Sequence, residues 1–296
     1  MKEKFNKIIN STGYISVSPL PSAEELRKFY ADAYYQQSLA ATYRADYPQE
    51  ELNHKRLRAE LLLHALKSVR KANDGKSFLE VGCGEGFVLQ AAHDAGYDVE
   101  GIDFSSYGVK SFHPHFESVL STGDAFELLD VRIKSGTKVD VCVLQNVLEH
   151  VIDPEGLMDR IKRILTPDGL AVINIPNDFS RIQEKLKDIG SVDRDYWFLP
   201  PHHLHYFNVD TIGLFIESVG FEVVDTFGDF PIELFLFCPG SNYVTNADNG
   251  PSAHKARIEI DLLLAERGID NYHRFCQSMS GCGIGRNVCV IVRVKD

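Results

Sequence analysis

Residues 76–86 (Lys-Ser-Phe-Leu-Glu-Val-Gly-Cys-Gly-Glu-Gly) decide the fold of this chain of 296 residues. A short apolar run ends in three glycines at alternate positions, and apolar residues resume at Phe87. This pattern predicts a strand, a tight turn and a helix, because glycine adopts positive φ and lets a ligand approach the backbone closely. Open α/β sheets bind nucleotide-sized ligands at such a turn, after their first strand. The stretch therefore predicts an α/β fold with a ligand at the glycine turn.

Two residues beside the glycines restrict the class of ligand. The dinucleotide-binding fingerprint has a glycine at the position that Phe87 occupies here. Glu80 lies at the end of the predicted strand, where its carboxylate would repel a pyrophosphate and attract an amine or a cation. Both residues disfavour a nicotinamide dinucleotide, and hence a dehydrogenase, and they favour S-adenosylmethionine.

The composition argues against several kinds of partner. The formal net charge is −11 and no basic run is present, so we expect neither nucleic acid nor an anionic membrane as a partner. The six cysteines have no Cys-x-x-Cys spacing, which predicts no metal or disulfide framework and favours a reducing compartment. The first ten residues lack the pattern of a signal peptide, and no apolar run approaches the ~20 residues of a membrane span. We therefore expect a soluble, cytoplasmic protein.

Apolar runs and helical periodicities alternate along most of the chain. The predicted strands are residues 77–81, 98–102, 116–120, 139–144, 170–175, 221–226 and 287–294. The predicted helices between them are residues 86–95, 104–111, 154–165 and 210–219, with a turn at 166–169. Such alternation is typical of a parallel sheet with crossover helices, and the last two strands, which lack a standard crossover, predict an antiparallel end. The predicted fold is an α/β, doubly wound, mostly parallel sheet of seven strands.

Two segments lie outside this alternation. Residues 1–73 predict an N-terminal cap with a capping box at Ser22 and Glu25, an amphipathic helix at 51–71, and the tyrosines Tyr30, Tyr34, Tyr35, Tyr43 and Tyr47. Residues 74–296 then form the α/β domain, and an insertion at about 228–284 interrupts it. The insertion contains a helical pattern at 253–267, and we expect it to act as a lid or as an interaction surface.

Polar side chains follow the other predicted strands. Asp103 ends the second strand about 20 residues after the glycine turn, where its carboxylate would accept hydrogen bonds from ribose hydroxyls. Asp124 follows the third strand and would bind the exocyclic amine of adenine, and Ala125 would leave room for the ring. Gln145 and Asn146 begin the loop after the fourth strand, which would face the methionine part of the cofactor and the methyl acceptor.

These ordered motifs, with Leu-Thr-Pro-Asp-Gly at 165–169, resemble class I S-adenosylmethionine-dependent methyltransferases over roughly residues 76–227. The subgroup that they resemble includes ubiquinone-type methyltransferases and small-molecule methyltransferases associated with sugars and polysaccharides. Residues 200–208 (Pro-Pro-His-His-Leu-His-Tyr-Phe-Asn) recur in it, and residues 19–35 resemble the lead-in of bacterial methyltransferases of surface-sugar pathways. The resemblance implies S-adenosyl-L-methionine as cofactor and S-adenosyl-L-homocysteine as product. The predicted cofactor-binding residues are Glu80, Gly82, Cys83, Gly84, Gly86, Asp103, Phe104, Asp124, Ala125, Gln145 and Asn146.

Histidines are the candidates for catalysis. Methyl transfer needs an acceptor lone pair aligned with the methyl–sulfur bond and, for an alcohol, a base for its proton. We predict His203 and His150 as catalytic residues, and His202, His205 and Tyr206 as substrate-binding residues. The pattern His-His-x-His at 202–205 lacks a carboxylate or cysteine partner at helical spacing, so no metal site is predicted.

The leading hypothesis is methyl transfer to a hydroxyl of a small polar acceptor, such as a nucleotide-linked sugar or a polysaccharide precursor. A quinone or aromatic O-methyltransferase is one alternative, which the insertion's Phe230, Leu234, Phe235, Leu236 and Phe237 keep open. A scaffold that binds S-adenosylmethionine without transferring methyl groups is another. An amino-methyltransferase of nucleic acids is disfavoured, because residues 145–148 lack its Asn/Asp-Pro-Pro-aromatic element. A homodimer is left open.

Overall fold

The computed structural model describes residues 5–29, 46–70 and 75–295. The strands of this part of the chain are β1 Asn6–Ile9, β2 Ile15–Ser18, β3 Ser77–Val81, β4 Asp98–Asp103, β5 Leu120–Thr122, β6 Val139–Gln145, β7 Leu165–Pro176, β8 His205–Tyr206, β9 Phe221–Gly228 and β10 Asn287–Val294. Its α-helices are α1 Ala23–Phe29, α2 Gln49–Val69, α3 Phe87–Asp94, α4 Tyr107–Phe112, α5 Ala125–Ser135, α6 Pro154–Ile164, α7 Arg181–Asp188, α8 Val209–Ser218, α9 Gly250–Ala265 and α10 Ile269–Gly281. None of the helices described here has the length and hydropathy needed to cross a bilayer.

Seven strands form the main sheet, in the order β5-β4-β3-β6-β7-β10-β9. The pairs among β5, β4, β3, β6 and β7 are parallel, whereas β10 runs antiparallel to both of its neighbours. The middle strands are buried on both faces, which explains their continuous apolar runs; Val139 and residues 141–144 of β6 are fully buried. The predicted mostly parallel, seven-stranded sheet with an antiparallel end is confirmed.

Helices cover both faces of the main sheet. Helices α5, α6 and α8 pack on one face, where Leu129, Met158 and Phe215 are fully buried. Helices α2, α3 and α10 contribute to the core of the other face, which contains Leu66 and Leu89. Since apolar surface on both faces is buried in this way, the sheet offers polar groups to a ligand at the ends of its strands.

A second, three-stranded sheet joins the N-terminal segment to residues 205–206. Its order is β1-β2-β8, and all its pairs are antiparallel. The amide of Val17 donates to the carbonyl of Leu204 over 2.9 Å, and the amide of Leu204 donates to the carbonyl of Glu149 over 2.8 Å. Strands of four and two residues are too short to show a period, so sequence analysis missed β1 and β8. This small sheet holds residues 202–204 beside the loop that follows β6.

One predicted strand is wrong in place and type. Most of the segment 116–120 belongs to a 3-10 helix, Pro114–Val119, and β5 begins only at Leu120. Pro114 stands in the first turn of that helix, where the fixed φ of proline is favourable. Phe116 is buried in the core and supplied the apolar signal that suggested a strand.

The predicted turn at residues 166–169 falls within the bounds of β7, where the chain folds back on itself and a Cβ at Gly169 would lie 3.0 Å from the backbone nitrogen of Thr166. The register between β6 and β7 shifts there, so that the four residues lie opposite Asp140 alone. The hydroxyl of Thr166 donates to Oδ1 of Asp140 over 3.1 Å. The turn-forming sequence is therefore used as a bulge within a strand.

Helices α7 and α10 were not predicted. The eight residues of α7 contain only two buried apolar side chains, Ile182 and Leu186, and α10 is largely polar, so neither shows a long apolar stripe. Helix α10 follows α9 in the predicted insertion and packs on β9 and α2.

The lid role of the insertion and the boundary between residues 73 and 74 stay predictions. Tyr30, Tyr34, Tyr35 and Tyr43 of the predicted tyrosine-rich stretch lie outside the described residues.

Candidate active site

A cavity of about 980 Å³ opens at the carboxyl ends of β3, β4 and β6. Its walls come from the glycine turn, from the loops after β4, β5 and β6, from helix α2 and from residues 202–203. Ligands of open α/β sheets bind at this edge. All eleven predicted cofactor-binding residues line the cavity, as do His150, His202 and His203, whereas His205 and Tyr206 do not.

The glycine turn needs its glycines for steric and conformational reasons. Gly82, Gly84 and Gly86 have φ of +73°, +54° and +81°, a region that other residues rarely adopt. A Cβ at Gly82 would also lie 2.5 Å from Cγ2 of Val147, which belongs to the loop after β6. The amide of Gly82 donates to the carbonyl of Ile102 over 2.7 Å and so ties the turn to β4.

Glu80 is a buried carboxyl group at the floor of the cavity. Its side chain is 1% exposed, and Nε2 of Gln145 donates to its Oε1 over 3.1 Å. Its Oε2 has no hydrogen-bond partner among the described residues. Burial raises the pKa of Glu80 to about 8, against the hydrogen bond from Gln145, which lowers it. A ligand amine that reaches Oε2 would satisfy this carboxylate and favour its ionised form.

Asp103 fixes the glycine turn from the end of β4. The amide of Gly84 donates to its Oδ2 over 2.8 Å, and the amide of Ser105 donates to its Oδ1 over 2.9 Å. Burial raises the pKa of the Asp103 carboxyl, against these backbone hydrogen bonds. Phe104 follows directly and is 60% exposed, so its ring is available to cover a ligand at the mouth of the cavity.

Asp124, in the loop after β5, and Asn146, in the loop after β6, both have structural roles in addition to the cofactor contacts predicted for them. Oδ1 of Asp124 accepts hydrogen bonds from the amides of Phe126 and Glu127, so this side chain caps helix α5. Asn146 has a left-handed φ of +52°, which asparagine tolerates better than most residues, and its amide donates to Asn174 of β7 over 2.8 Å. The contacts predicted for Asp124 and Asn146 with the cofactor stay predictions.

Two basic residues of α2 line the cavity, and sequence analysis missed both. Nζ of Lys55 lies 2.8 Å from Oε2 of Glu85, and Nη2 of Arg58 lies 3.3 Å from Oδ2 of Asp229. Helix α2 was expected only to pack against the sheet. The signal that was available is their i,i+3 spacing, which places both side chains on one face of the helix.

His150, His202 and His203 form a compact group, which we call the histidine cluster. Their ring centroids lie 4.9, 4.9 and 5.0 Å apart. Nδ1 of His150 lies 2.6 Å from the carbonyl oxygen of His202, and because a carbonyl only accepts, Nδ1 is the donor and Nε2 keeps its lone pair. Burial lowers the pKa of His150 well below its ordinary value, and it lowers the pKa of His202 to about 4. The imidazoles of His150 and His202 are therefore neutral near pH 7.

Two buried carboxyl groups stand beside the histidine cluster. Glu149 is 2% exposed, its Oε1 lies 3.8 Å from Nε2 of His150, and burial raises its pKa to about 7. Neither of its carboxyl oxygens has a hydrogen-bond partner in the described part of the chain. Oδ2 of Asp178 lies 3.8 Å from Nδ1 of His203, and its Oδ1 lies 2.8 Å from Nη1 of Arg286. No motif pointed to Asp178; Glu149 was visible as the neighbour of His150. We call the part of the cavity around the histidine cluster and Glu149 the histidine end.

His205 and Tyr206 lie in β8, away from the cavity. Nδ1 of His205 lies 2.7 Å from Oγ of Ser16, so this ring belongs to the contact with β2. The hydroxyl of Tyr206 accepts from the amide of Leu199 and donates to the carbonyl of His203, both over 3.0 Å. Tyr206 thus positions the backbone of the histidine cluster. We do not propose His205 or Tyr206 as substrate contacts.

Comparison with known proteins agrees with this geometry. The profile of a methyltransferase domain family matches residues 49–226. A ubiquinone biosynthesis O-methyltransferase of Psychrobacter arcticus is 34% identical over 107 residues, which are 35% of this chain and 42% of that protein. A probable S-adenosylmethionine-dependent methyltransferase of Mycolicibacterium smegmatis is 30% identical over 157 residues, which are 53% of this chain and 56% of that protein. The chain spans about half the length of the curated relatives it matches.

Solved structures share the fold at low sequence identity. One of them is the 1,6-didemethyltoxoflavin-N1-methyltransferase of Burkholderia thailandensis, with a TM-score of 0.52 and 12% sequence identity. The superposition covers 99% of this chain and 100% of that enzyme. At such identity the likeness concerns the fold alone. The family profile, in contrast, matches more than half of the 296 residues, and it confirms the predicted cofactor, S-adenosylmethionine, with S-adenosylhomocysteine as its product. The chain therefore belongs to the class I S-adenosylmethionine-dependent methyltransferases.

Proposed function

We propose that this protein transfers the methyl group of S-adenosylmethionine to a hydroxyl of a small polar acceptor, such as a nucleotide-linked sugar or a polysaccharide precursor. One observation supports this most directly: a single cavity joins the glycine turn to the polar histidine end. Its volume of about 980 Å³ lies at the upper end of the usual range for ligand pockets, about 300–1,000 Å³, and suits a cofactor together with an acceptor.

The cofactor would lie across the strand ends. Asp103 would accept hydrogen bonds from the ribose hydroxyls, and Asp124 would bind the adenine amine. The methionine part bears an amine and a carboxylate, which need partners of opposite charge. Oε2 of Glu80 suits the amine, and Lys55 and Arg58 suit the carboxylate, since all three side chains line the cavity.

The acceptor would lie at the histidine end. Displacement occurs in line: the acceptor oxygen forms a bond to the methyl carbon as the methyl–sulfur bond breaks, and the hydroxyl proton passes to a base. We propose His203 as that base, with His150 as the second candidate. Nδ1 of His203 faces the ionised Asp178, which leaves Nε2 available to accept the proton.

A polar acceptor is favoured by the walls of the histidine end. Glu149 and Nδ1 of His202 are buried there without hydrogen-bond partners in the described residues, and the hydroxyls of an acceptor would supply them. The alternative of a quinone or aromatic acceptor depended on five apolar residues of the insertion, at 230 and 234–237. None of these five residues lines the cavity.

Cofactor binding is tested first, by calorimetry with S-adenosylmethionine. We expect binding to the unmodified protein, at least about tenfold weaker binding to Asp103→Ala, and unchanged binding to Asp98→Ala, an exposed residue of the same strand. The transfer is then tested with a panel of nucleoside-diphosphate sugars and of catechol-type phenols, with mass spectrometry to detect the gain of a methyl group. Methylation of phenols alone would overturn the proposed acceptor, and cofactor binding without any methylated product would favour the scaffold.

A further inference from the structure

The histidine cluster has the composition and spacing of a metal-binding site. Each of His150, His202 and His203 offers a ring nitrogen, and the three nitrogens all lie within 4.8 Å of one another. In a tetrahedral zinc site, with Zn–N distances of about 2.0–2.1 Å, ligand nitrogens lie about 3.4 Å apart. Small rotations of the three rings would close this difference.

The groups behind two of the rings are of the kinds found behind metal ligands, a hydrogen-bonded carbonyl at His150 and a nearby carboxylate at His203. A metal-bound histidine almost always donates its other N–H to a carbonyl or a carboxylate, which fixes the tautomer. Nδ1 of His150 donates to the carbonyl of His202 over 2.6 Å, and Nδ1 of His203 faces Oδ2 of Asp178 at 3.8 Å. With Nδ1 turned to these groups, Nε2 is the ring nitrogen that we assign to the metal in both residues. Asp178 is itself held by Arg286, at 2.8 Å.

Glu149 is a second, independent observation. Its carboxyl group is 2% exposed, and neither oxygen has a hydrogen-bond partner within the described ranges. An unpaired buried carboxyl group is costly, and a nearby cation offsets that cost. Its Oε1 lies 3.8 Å from Nε2 of His150, so the carboxyl group stands beside the ring nitrogens of the histidine cluster. One ion would therefore pair with Glu149 and with the imidazoles together.

We propose that His150, His202 and His203 bind one divalent transition-metal ion of the zinc type, with Glu149 as the adjacent carboxylate. Imidazole nitrogens with one carboxylate suit zinc better than magnesium or calcium, which prefer oxygen ligands. Sequence analysis predicted no metal site because it grouped His202 and His203 with His205. The third imidazole comes instead from His150, 52 residues earlier than His202, while His205 contacts Ser16.

The metal site changes how the proposed acceptor would be activated. All three histidines line the cavity, so a fourth or fifth coordination position would face the acceptor. A hydroxyl oxygen bound there loses its proton to water more readily, and its lone pair then attacks the methyl carbon as the methyl–sulfur bond breaks. His203 would in that case be a ligand of the ion and would not accept the proton itself. This consequence rests on the proposed function, whereas the metal site itself does not.

Metal binding is tested on the full chain after treatment with a chelator. Zinc is titrated by calorimetry, and bound zinc is counted by elemental analysis after dialysis. We expect one equivalent per chain, lost in His202→Ala, which keeps the carbonyl that anchors His150, and retained in His93→Ala, an exposed histidine elsewhere. The absence of stoichiometric zinc from the unmodified protein, or its full retention in both His202→Ala and His150→Ala, would overturn the proposal.

Cobalt distinguishes this site from adventitious binding to thiols. Cys238 and Cys282 are exposed, and a thiolate ligand gives a strong charge-transfer band with cobalt that imidazole and carboxylate ligands lack. We expect visible ligand-field bands without that charge-transfer band. A thiolate band would overturn the assignment even if a histidine variant failed to fold.

Cofactor binding is measured on the same samples. Zinc binding without S-adenosylmethionine binding would contradict only the proposed function. S-adenosylmethionine binding without zinc binding would contradict only the metal site.

Discussion

The side-chain amide of Gln145 donates to the carboxyl group of Glu80 over 3.1 Å, and this hydrogen bond joins the end of β6 to the end of β3. It engages Oε1 and leaves Oε2 without a partner among the described residues, in the wall of the cavity. The same carboxyl group is thus oriented by the protein through one oxygen and offered to a ligand through the other.

Glu80→Gln should weaken S-adenosylmethionine binding. The amide keeps the shape of the side chain but cannot pair with a ligand amine by charge, so we expect affinity to fall by about tenfold or more. Calorimetry measures the loss, and Glu127→Gln, an exposed residue of α5, serves as control. Equal affinities of the two variants would contradict the assignment of Glu80 to the cofactor amine.

Glu80 should also make stability depend on pH. Its pKa of about 8 lies above its ordinary value of 4.5, so the folded state holds a proton that the unfolded state releases between these values. The free energy of unfolding therefore falls as pH rises from about 5 to 8. In Glu80→Gln we expect this fall to be smaller by on the order of 1–3 kcal/mol. Urea denaturation of both proteins at several pH values measures it; parallel curves would show that Glu80 ionises normally.

Gly82→Ala should destabilise the glycine turn for two separable reasons. The new Cβ would lie 2.5 Å from Cγ2 of Val147, and φ is +73°. We expect a loss of about 2–4 kcal/mol, of which Val147→Ala restores the steric part. Gly136→Ala is the matched control, because its φ is +74° and nothing lies within 4 Å of its Cβ. If the two glycine variants lose equal stability by thermal denaturation, contact with Val147 is not the cause.

Arg286 should contribute strongly to stability, because it stands between two buried carboxyl groups. Its guanidinium lies 2.8 Å from Asp178 and 3.5 Å from Glu233. Arg286→Leu leaves these carboxyl groups without their cation, and we expect a loss of about 3–5 kcal/mol in urea denaturation. Arg194→Leu removes an exposed pair with Asp193 and should cost less than about 1 kcal/mol. Similar losses in both variants would show that the buried pair is not stabilising.

Local patterns predicted the glycine turn and several strands of the main sheet well, because each of these features is contained in a short stretch. The bounds of β3 and β10 match their predicted ranges, and the glycine turn leads into α3 one residue from the predicted start. The histidine cluster could not be predicted in this way, since His150 and His202 come from different loops and no local pattern encodes their distance. Asp178 was missed for the same reason, because its partners His203 and Arg286 lie far away in the sequence.

The small sheet gives residues 202–204 of the histidine end a support outside the main sheet. The glycine turn and Asp103 belong to strands of the main sheet, whereas residues 202–204 are attached through β8 to residues 15–18. Backbone hydrogen bonds thus join residues 15–17 to the segment 204–206. A change of backbone position in β2 would therefore be passed to His202 and His203 through β8, without passing through the strands that carry the glycine turn and Asp103.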